Sequence, residues 1–395
     1  MSEREAADSA GLLLGKVVAN RYYLDAVLGT GSAGAVYRAH EAAGRNVAVK
    51  ILNPQLMASN AAQRFARESE VMLGIQHPHV VDTLAAGKDE SLGVLYMAMP
   101  LLRGEDLDAV LVRVGALEPT AAVRIAIQAA RGIGAAHGVG VVHRDIKPAN
   151  LFLDREDDQQ ITVRVCDFGI AKRLASGSGD AALTATGTQL GTPDYVAPEQ
   201  LRDSKNVDER ADVWGLGATL YEMLCGEPPY AHHANVFDII SAILTEEVQP
   251  LLERAPWLEP ELGSIVHRAL RKKPTERFRS MQDFADALRA HSRGGERLML
   301  AELVAPVRKP SPSAVIAPVQ LASKPSAPSH ATKAASSLPT GPSPKAPAPR
   351  QASAKASSRS VARARNERAT WRSWLVLFCV AFTLAAVVLA WLRGR

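Results

Sequence analysis

One eight-residue run constrains this chain more than any other feature: His143-Arg144-Asp145-Ile146-Lys147-Pro148-Ala149-Asn150. It sets a carboxylate, an ammonium and an amide at fixed offsets within a single loop-sized segment. Asp145 can orient a hydroxyl and accept its proton. Lys147 can neutralise charge on a moving phosphoryl group, and Asn150 can hold a magnesium ion through its side-chain oxygen. Asp167-Phe168-Gly169 follows seventeen residues after Asn150 and offers a second ligand for the same cation. A fold that uses both segments must bring them to one point.

A glycine pattern stands far upstream: Gly29-Thr30-Gly31-Ser32-Ala33-Gly34-Ala35-Val36. Alone it is weak, because dinucleotide-binding folds carry a similar one and a plain structural hairpin could too. The sequel separates the readings. Ala35 to Ala39 alternates in polarity like a strand, so the glycines form a hairpin turn rather than open a helix. Glycine there lets backbone approach phosphate without a Cβ in the way.

These segments, in this order, resemble the eukaryotic-like (Hanks-type) serine/threonine protein kinases of bacteria. The resemblance covers roughly residues 20–290, about two thirds of the chain. It implies an α+β, bilobal protein kinase fold with a β-rich N-lobe and a helical C-lobe, with ATP as substrate and Mg2+ (or Mn2+) as cofactor. The nucleotide site it implies comprises Leu28, Gly29, Gly31, Gly34, Val36, Ala48, Lys50, Glu68, Met99, Pro100 and Leu102. Lys50 ends the strand-like Val47-Ala48-Val49-Lys50 and matches the lysine that grips the α and β phosphates. Its glutamate partner matches Glu68 on the next helix, with Glu70 as the competitor on another face. Met99 takes the gatekeeper position. Pro100 replaces a common glutamate, which is tolerable because adenine uses only the carbonyl there and proline keeps it. The N–H that adenine needs would come from Leu102.

The same resemblance assigns catalysis to Asp145, Lys147 and Thr192, and metal binding to Asn150 and Asp167. Arg144 becomes the binder of an activating phosphate, for which a guanidinium is suited by its two-pronged geometry. Thr184 and Thr186, eight and six residues before Thr192, are the expected phosphosites; Ser176, Ser178 and Thr188 are weaker ones. Glu199 of Ala197-Pro198-Glu199 and Arg277 match a buried ion pair, and Asp212 matches a brace for the catalytic loop. Lys147 and Thr192 point to serine/threonine rather than tyrosine acceptors on proteins. A pseudokinase scaffold would lack one of the key charged residues. A small-molecule kinase would lack the activation segment.

Composition bounds the rest. The net charge of +5 is uneven: residues 303–372 carry twelve Lys/Arg and one acidic residue, Glu367, whereas residues 1–302 carry 32 basic and 40 acidic side chains. The basic character thus belongs to the tail, and no nucleic-acid motif or nucleic-acid partner is expected. Residues 1–19 read as an N-terminal extension whose first ten residues are polar and acidic, so no signal peptide is expected, and 20–290 as the kinase domain. Residues 291–372 form a Pro/Ala/Ser-rich basic linker, disordered because too few large apolar side chains offset chain entropy. Trp374 to Leu392 are nineteen uncharged residues within a predicted transmembrane helix at 373–392, followed by a short tail at 393–395. At about 1.5 Å per residue this nearly spans a bilayer core of roughly 30 Å. Arg359, Arg363, Arg365, Arg368 and Arg372 precede it, so the positive-inside rule predicts a single-pass, C-terminally anchored inner-membrane protein with its kinase domain in the cytoplasm. The basic flank would also hold anionic lipid. Confinement there would favour a homodimer encounter in which two copies phosphorylate each other. The three cysteines form no disulfide framework. The ten histidines show no metal-ligand spacing, and His232-His233 reads as a solvated loop pair.

Overall fold

The computed structural model describes residues 11–31, 34–53, 61–155, 159–168, 193–203 and 206–304. An antiparallel six-stranded sheet forms the first lobe, in the order β1-β2-β3-β4-β6-β5. Its strands are β1 (Val17–Val18), β2 (Tyr22–Gly31), β3 (Gly34–Glu41), β4 (Asn46–Leu52), β5 (Ala85–Asp89) and β6 (Val94–Pro100). Tyr22, Leu24, Tyr37, Val47, Val49 and Ala98 point to one face and bury it. A single described helix, α1 (Ala61–Leu73), belongs to this lobe and sends Phe65 and Met72 into the core.

The glycine-rich run is the expected hairpin: Gly31 pairs with Gly34 across the tip of β2 and β3. Gly34 cannot be replaced cheaply. Its φ is +139°, and a Cβ would fall 2.0 Å from the Ile51 carbonyl oxygen. At Gly29 and Gly31 nothing lies within 4 Å of where a Cβ would be, so the turn is open above them.

Helices dominate the second lobe: α2 (Leu107–Val114), α3 (Pro119–Gly138), α4 (Pro198–Arg202), α5 (Arg210–Cys225), α6 (Val236–Thr245), α7 (Leu251–Arg254), α8 (Pro260–Ala269) and α9 (Met281–Arg289). Proline at its first turn starts α3, where a missing N–H costs nothing. The predicted stripe Val123, Ile127, Ala130 and Ile133 is fully inside. Helix α5 is buried on nearly all sides and stops at Gly226, whose φ of +89° supplies a left-handed cap.

A small antiparallel sheet, β10-β9-β8-β7, flanks α3; its strands are β7 (Gly104–Asp106), β8 (Leu151–Arg155), β9 (Gln160–Val165) and β10 (Leu298–Met299). Strand β10 corrects the expected start of the linker at 291. Residues 291–304 are a strap laid on the domain: Leu298 pairs with Ile161, and the guanidinium of Arg124 donates to the carbonyls of Ser292, Arg293 and Gly295 and meets Glu302 at 2.5 Å. Among the described residues no helix is long and apolar enough to cross a membrane. The predicted span at 373–392 and the basic linker from 305 onward lie outside them.

The lobes meet where α3 crosses the loop before β5. Gly132 permits this, since a Cβ would sit 2.2 Å from the His79 carbonyl oxygen. That oxygen also accepts from the Val165 N–H at 2.9 Å. Gly132→Ala should therefore destabilise the protein, despite a helix-propensity gain of about 1 kcal/mol, because overpacking costs about 1–3 kcal/mol. Gly138→Ala, in the same helix with open space around it, should be neutral or stabilising. Thermal melts of the two variants separate packing from propensity, and a stabilised Gly132→Ala would refute the close approach.

Burial pushes the His79 ring down to about 4 from 6.5, and its Nδ1 faces the Val163 carbonyl at 3.1 Å. The unfolded chain therefore takes up a proton near 6.5 that the folded chain takes up only near 4. Stability should fall as pH drops from 6.5 towards 4 and be insensitive to this group above 6.5. In His79→Gln the urea midpoint should depend less steeply on pH across that window; an unchanged slope would acquit His79.

Candidate active site

The catalytic segment crosses between α3 and β8 as an irregular loop closed by a short 3-10 turn, Pro148–Asn150. Its anchor is Asp212, in the first turn of α5 and 1% exposed. Asp212 Oδ1 accepts from the Arg144 N–H at 2.7 Å. Its Oδ2 accepts from the His143 N–H at 2.8 Å and lies 2.8 Å from His137 Nε2. Gly215, one turn on, lets the loop settle against the helix, since a Cβ there would meet Ile146 Cβ and its carbonyl oxygen at 3.0 Å.

Held this way, Arg144 adopts φ +65° and Asp167 φ +59°, a left-handed region that non-glycine residues rarely occupy. Such backbone persists only where its surroundings over-determine it. The His143 ring is buried, and burial lowers its pKa from the ordinary 6.5. The neutral ring has one donor and one acceptor. Nδ1 accepts from the Asp145 N–H at 3.2 Å, so Nε2 must donate to the Cys166 carbonyl at 2.9 Å. One imidazole therefore links the backbone of the catalytic loop to that of the residue before Asp167. Its ring also packs on Phe168, with centroids 4.7 Å apart.

Asp145, Lys147 and Asn150 come together at the loop's end. Lys147 Nζ lies 3.0 Å from Asp145 Oδ2, while Asn150 Nδ2 donates to the Asp145 carbonyl at 2.7 Å and to Oδ2 at 3.2 Å. With its amide nitrogen so used, Asn150 keeps its oxygen for a cation. Asp167 meets Lys50 of β4, Nζ to Oδ1 at 2.6 Å. This is the ion pair that Lys50 makes among the described residues; Glu68, its partner by resemblance, lies on α1. Glu68 is half-buried on α1, whereas Glu70 is exposed. Ala48 is buried, and Val36, Met99, Pro100 and Leu102 are half-buried. Leu28 is 51% exposed on β2. Leu102 lies beyond the last β4–β6 pair, Val47 with Pro100, so its peptide is outside the sheet ladder.

Glu199 and Arg277 form a two-pronged ion pair at 2.6 and 2.8 Å. The other guanidinium N–H groups go to the carbonyls of Arg271, Lys272 and Arg210, so all five donors are satisfied. Residue type did not reveal three further participants. His137 shares Asp212, Gln200 donates to the Arg144 carbonyl at 2.9 Å, and Gly215 admits the loop. Gln200 directly follows Glu199, and that adjacency was the available signal. Thr184, Thr186 and Thr192 lie outside the described residues, as does Gly169.

Comparison with known proteins follows the geometry. The family described as "Protein kinase domain" matches residues 22–288. The chain is 34% identical over 310 residues to serine/threonine-protein kinase pkn3 of Myxococcus xanthus, covering 78% of this chain and 55% of that protein. It is 37% identical over 272 residues to PknH of Mycobacterium tuberculosis, covering 68% and 41%. It thus spans about half the length of the curated relatives it matches. A crystal structure of the M. tuberculosis PknI kinase domain superimposes with a TM-score of 0.55 at 29% identity, covering 70% of this chain and 98% of that one.

Asp212→Asn should cost about 1–3 kcal/mol in urea denaturation, since an amide N–H would then face a buried N–H. Transfer activity should fall with it. An unchanged midpoint would mean that the carboxylate is not what braces the loop.

Proposed function

We propose, on the premise that this chain belongs to the protein kinase family, that it transfers the γ-phosphoryl group of ATP to serine and threonine hydroxyls of proteins. The observation that carries this reading is the convergence of Asp145, Lys147 and Asn150 at the end of one loop, with Asp167 tied to that loop through His143. Asp145 orients the acceptor hydroxyl and takes its proton as the oxygen attacks the γ-phosphorus and ADP leaves. Lys147 balances charge on the group in flight. Lys50, Gly29, Gly31 and Gly34 serve the phosphates, and the peptide of Leu102 serves adenine.

Asn150 and Asp167 would hold Mg2+. Their all-oxygen donor set suits that hard cation, and the Asn150 amide nitrogen is already engaged by the Asp145 carbonyl. Bound there, the ion would supply positive charge to offset that of the phosphates. Arg144, on the backbone tied to Gln200, would receive a phosphate on Thr184 or Thr186, and Thr192 would complete the acceptor site. The apolar run at 374–392 and the arginines before it support anchoring in the membrane with the kinase domain in the cytoplasm. Anchoring would favour encounters between two copies and phosphorylation in trans.

The test incubates the full-length chain with Mg-ATP beside Asp145→Asn and maps phosphosites by mass spectrometry. Transfer by Asp145→Asn should fall about 10²–10⁴-fold with nucleotide affinity retained. Wild type should place phosphate on Thr184 or Thr186, including on added Asp145→Asn chains. Equal transfer by both proteins would overturn the site, and phosphate on neither threonine would overturn self-activation.

A further inference from the structure

Two adjacent histidines in the α5–α6 connection face the end of α6. His233 Nε2 lies 3.0 Å from Glu246 Oε2 and His232 Nε2 lies 3.8 Å from the same oxygen, with the two rings 4.1 Å apart. One ligand atom from each residue falls within 4.8 Å of the others. We propose that His232, His233 and Glu246 form a binding site for a divalent transition-metal ion of zinc's class, separate from the phosphoryl-transfer centre. The third ligand is thirteen residues away, so local spacing cannot show it.

The donor set decides the metal. Two imidazole nitrogens and one carboxylate oxygen suit zinc and its neighbours rather than magnesium or calcium, which prefer oxygen throughout. Bonds of about 2.0–2.1 Å in a tetrahedron put ligand atoms about 3.3 Å apart. The observed 3.0 and 3.8 Å bracket that value, so closure needs only small side-chain adjustments. The ion would take the place of the His233–Glu246 contact.

The backbone beneath is already fixed. Tyr230 is fully buried. Its carbonyl accepts from the His233 N–H at 3.1 Å, and its hydroxyl donates to the Glu246 carbonyl at 3.1 Å. Lys272 in turn donates to that hydroxyl at 2.8 Å and to the Ala242 carbonyl at 3.0 Å, closing the end of α6. One tyrosine thus sets the spacing of two ligand-bearing residues. The side chains of His232 and Glu246 are 46% and 49% exposed, so an ion can enter and water can fill the remaining position.

The test titrates zinc into untagged, chelator-treated full-length protein by calorimetry, with cobalt absorption as a second readout. One equivalent should bind, raise the melting temperature and give a four-coordinate cobalt spectrum. The same equivalent should persist in Asp167→Asn, which separates it from the magnesium position. Glu246→Gln and the His232→Ala/His233→Ala double variant should each weaken binding roughly 10-fold or more, while melting like wild type without metal. Unchanged zinc affinity in both variants would overturn the site. So would a wild type whose only zinc equivalent disappears in Asp167→Asn.

Discussion

The carboxylate of Asp212 is the interaction on which the catalytic geometry rests. A charge buried in the middle of a protein is costly unless hydrogen bonds surround it. Here two backbone N–H groups and one imidazole do so, and all three come from His137, His143 and Arg144. The carboxylate and the loop therefore depend on each other. The charge is tolerable only if the loop takes this path, and the loop holds its left-handed residue only because the charge is there. Helix α5 can impose this because it is itself enclosed on nearly every side.

A second layer extends the same logic outward. Arg277 is fully buried, with every N–H occupied, and its guanidinium lies over the Trp214 ring at 5.1 Å from the centroid. It fixes Glu199, and Gln200 beside it holds the Arg144 carbonyl. Arg144 is thus gripped through its N–H by α5 and through its carbonyl by α4. Its guanidinium donates in turn to the Val207 carbonyl at 3.3 Å.

The parts legible in the sequence are those where chemistry demands one residue type. A carboxylate, an ammonium and an amide at the offsets of Asp145, Lys147 and Asn150 have few other uses together, and Gly34 has no substitute where β3 meets the Ile51 carbonyl. Helical stripes such as Val123 to Ile133 were equally plain, because burial follows period. Less legible were contacts that run through backbone or close over long separations. The Lys50–Asp167 pair joins residues 117 apart, and the Gln200 contact ends on a carbonyl that any residue could supply. The contact of His233 with Glu246 spans thirteen residues, so local spacing does not show it.

The strap at 291–304 shows the limit most clearly. It carries Glu296, Glu302, Leu298, Leu300 and Leu303 and no proline, unlike the linker beyond it, but residue type alone does not show what it packs on. What holds it is Arg124, an arginine on α3 whose guanidinium captures three carbonyls. Carbonyl capture is blind to the captured sequence. Gln128, one helical turn on, does the same with both ends of its amide, donating to the Glu296 carbonyl and accepting from the Val163 N–H. Together they splice the strap into the sheet edge beside β9. The folded unit therefore extends at least to residue 304, and a truncation at 290 would strip β10 from β9 and leave the buried polar groups of α3 without their partners.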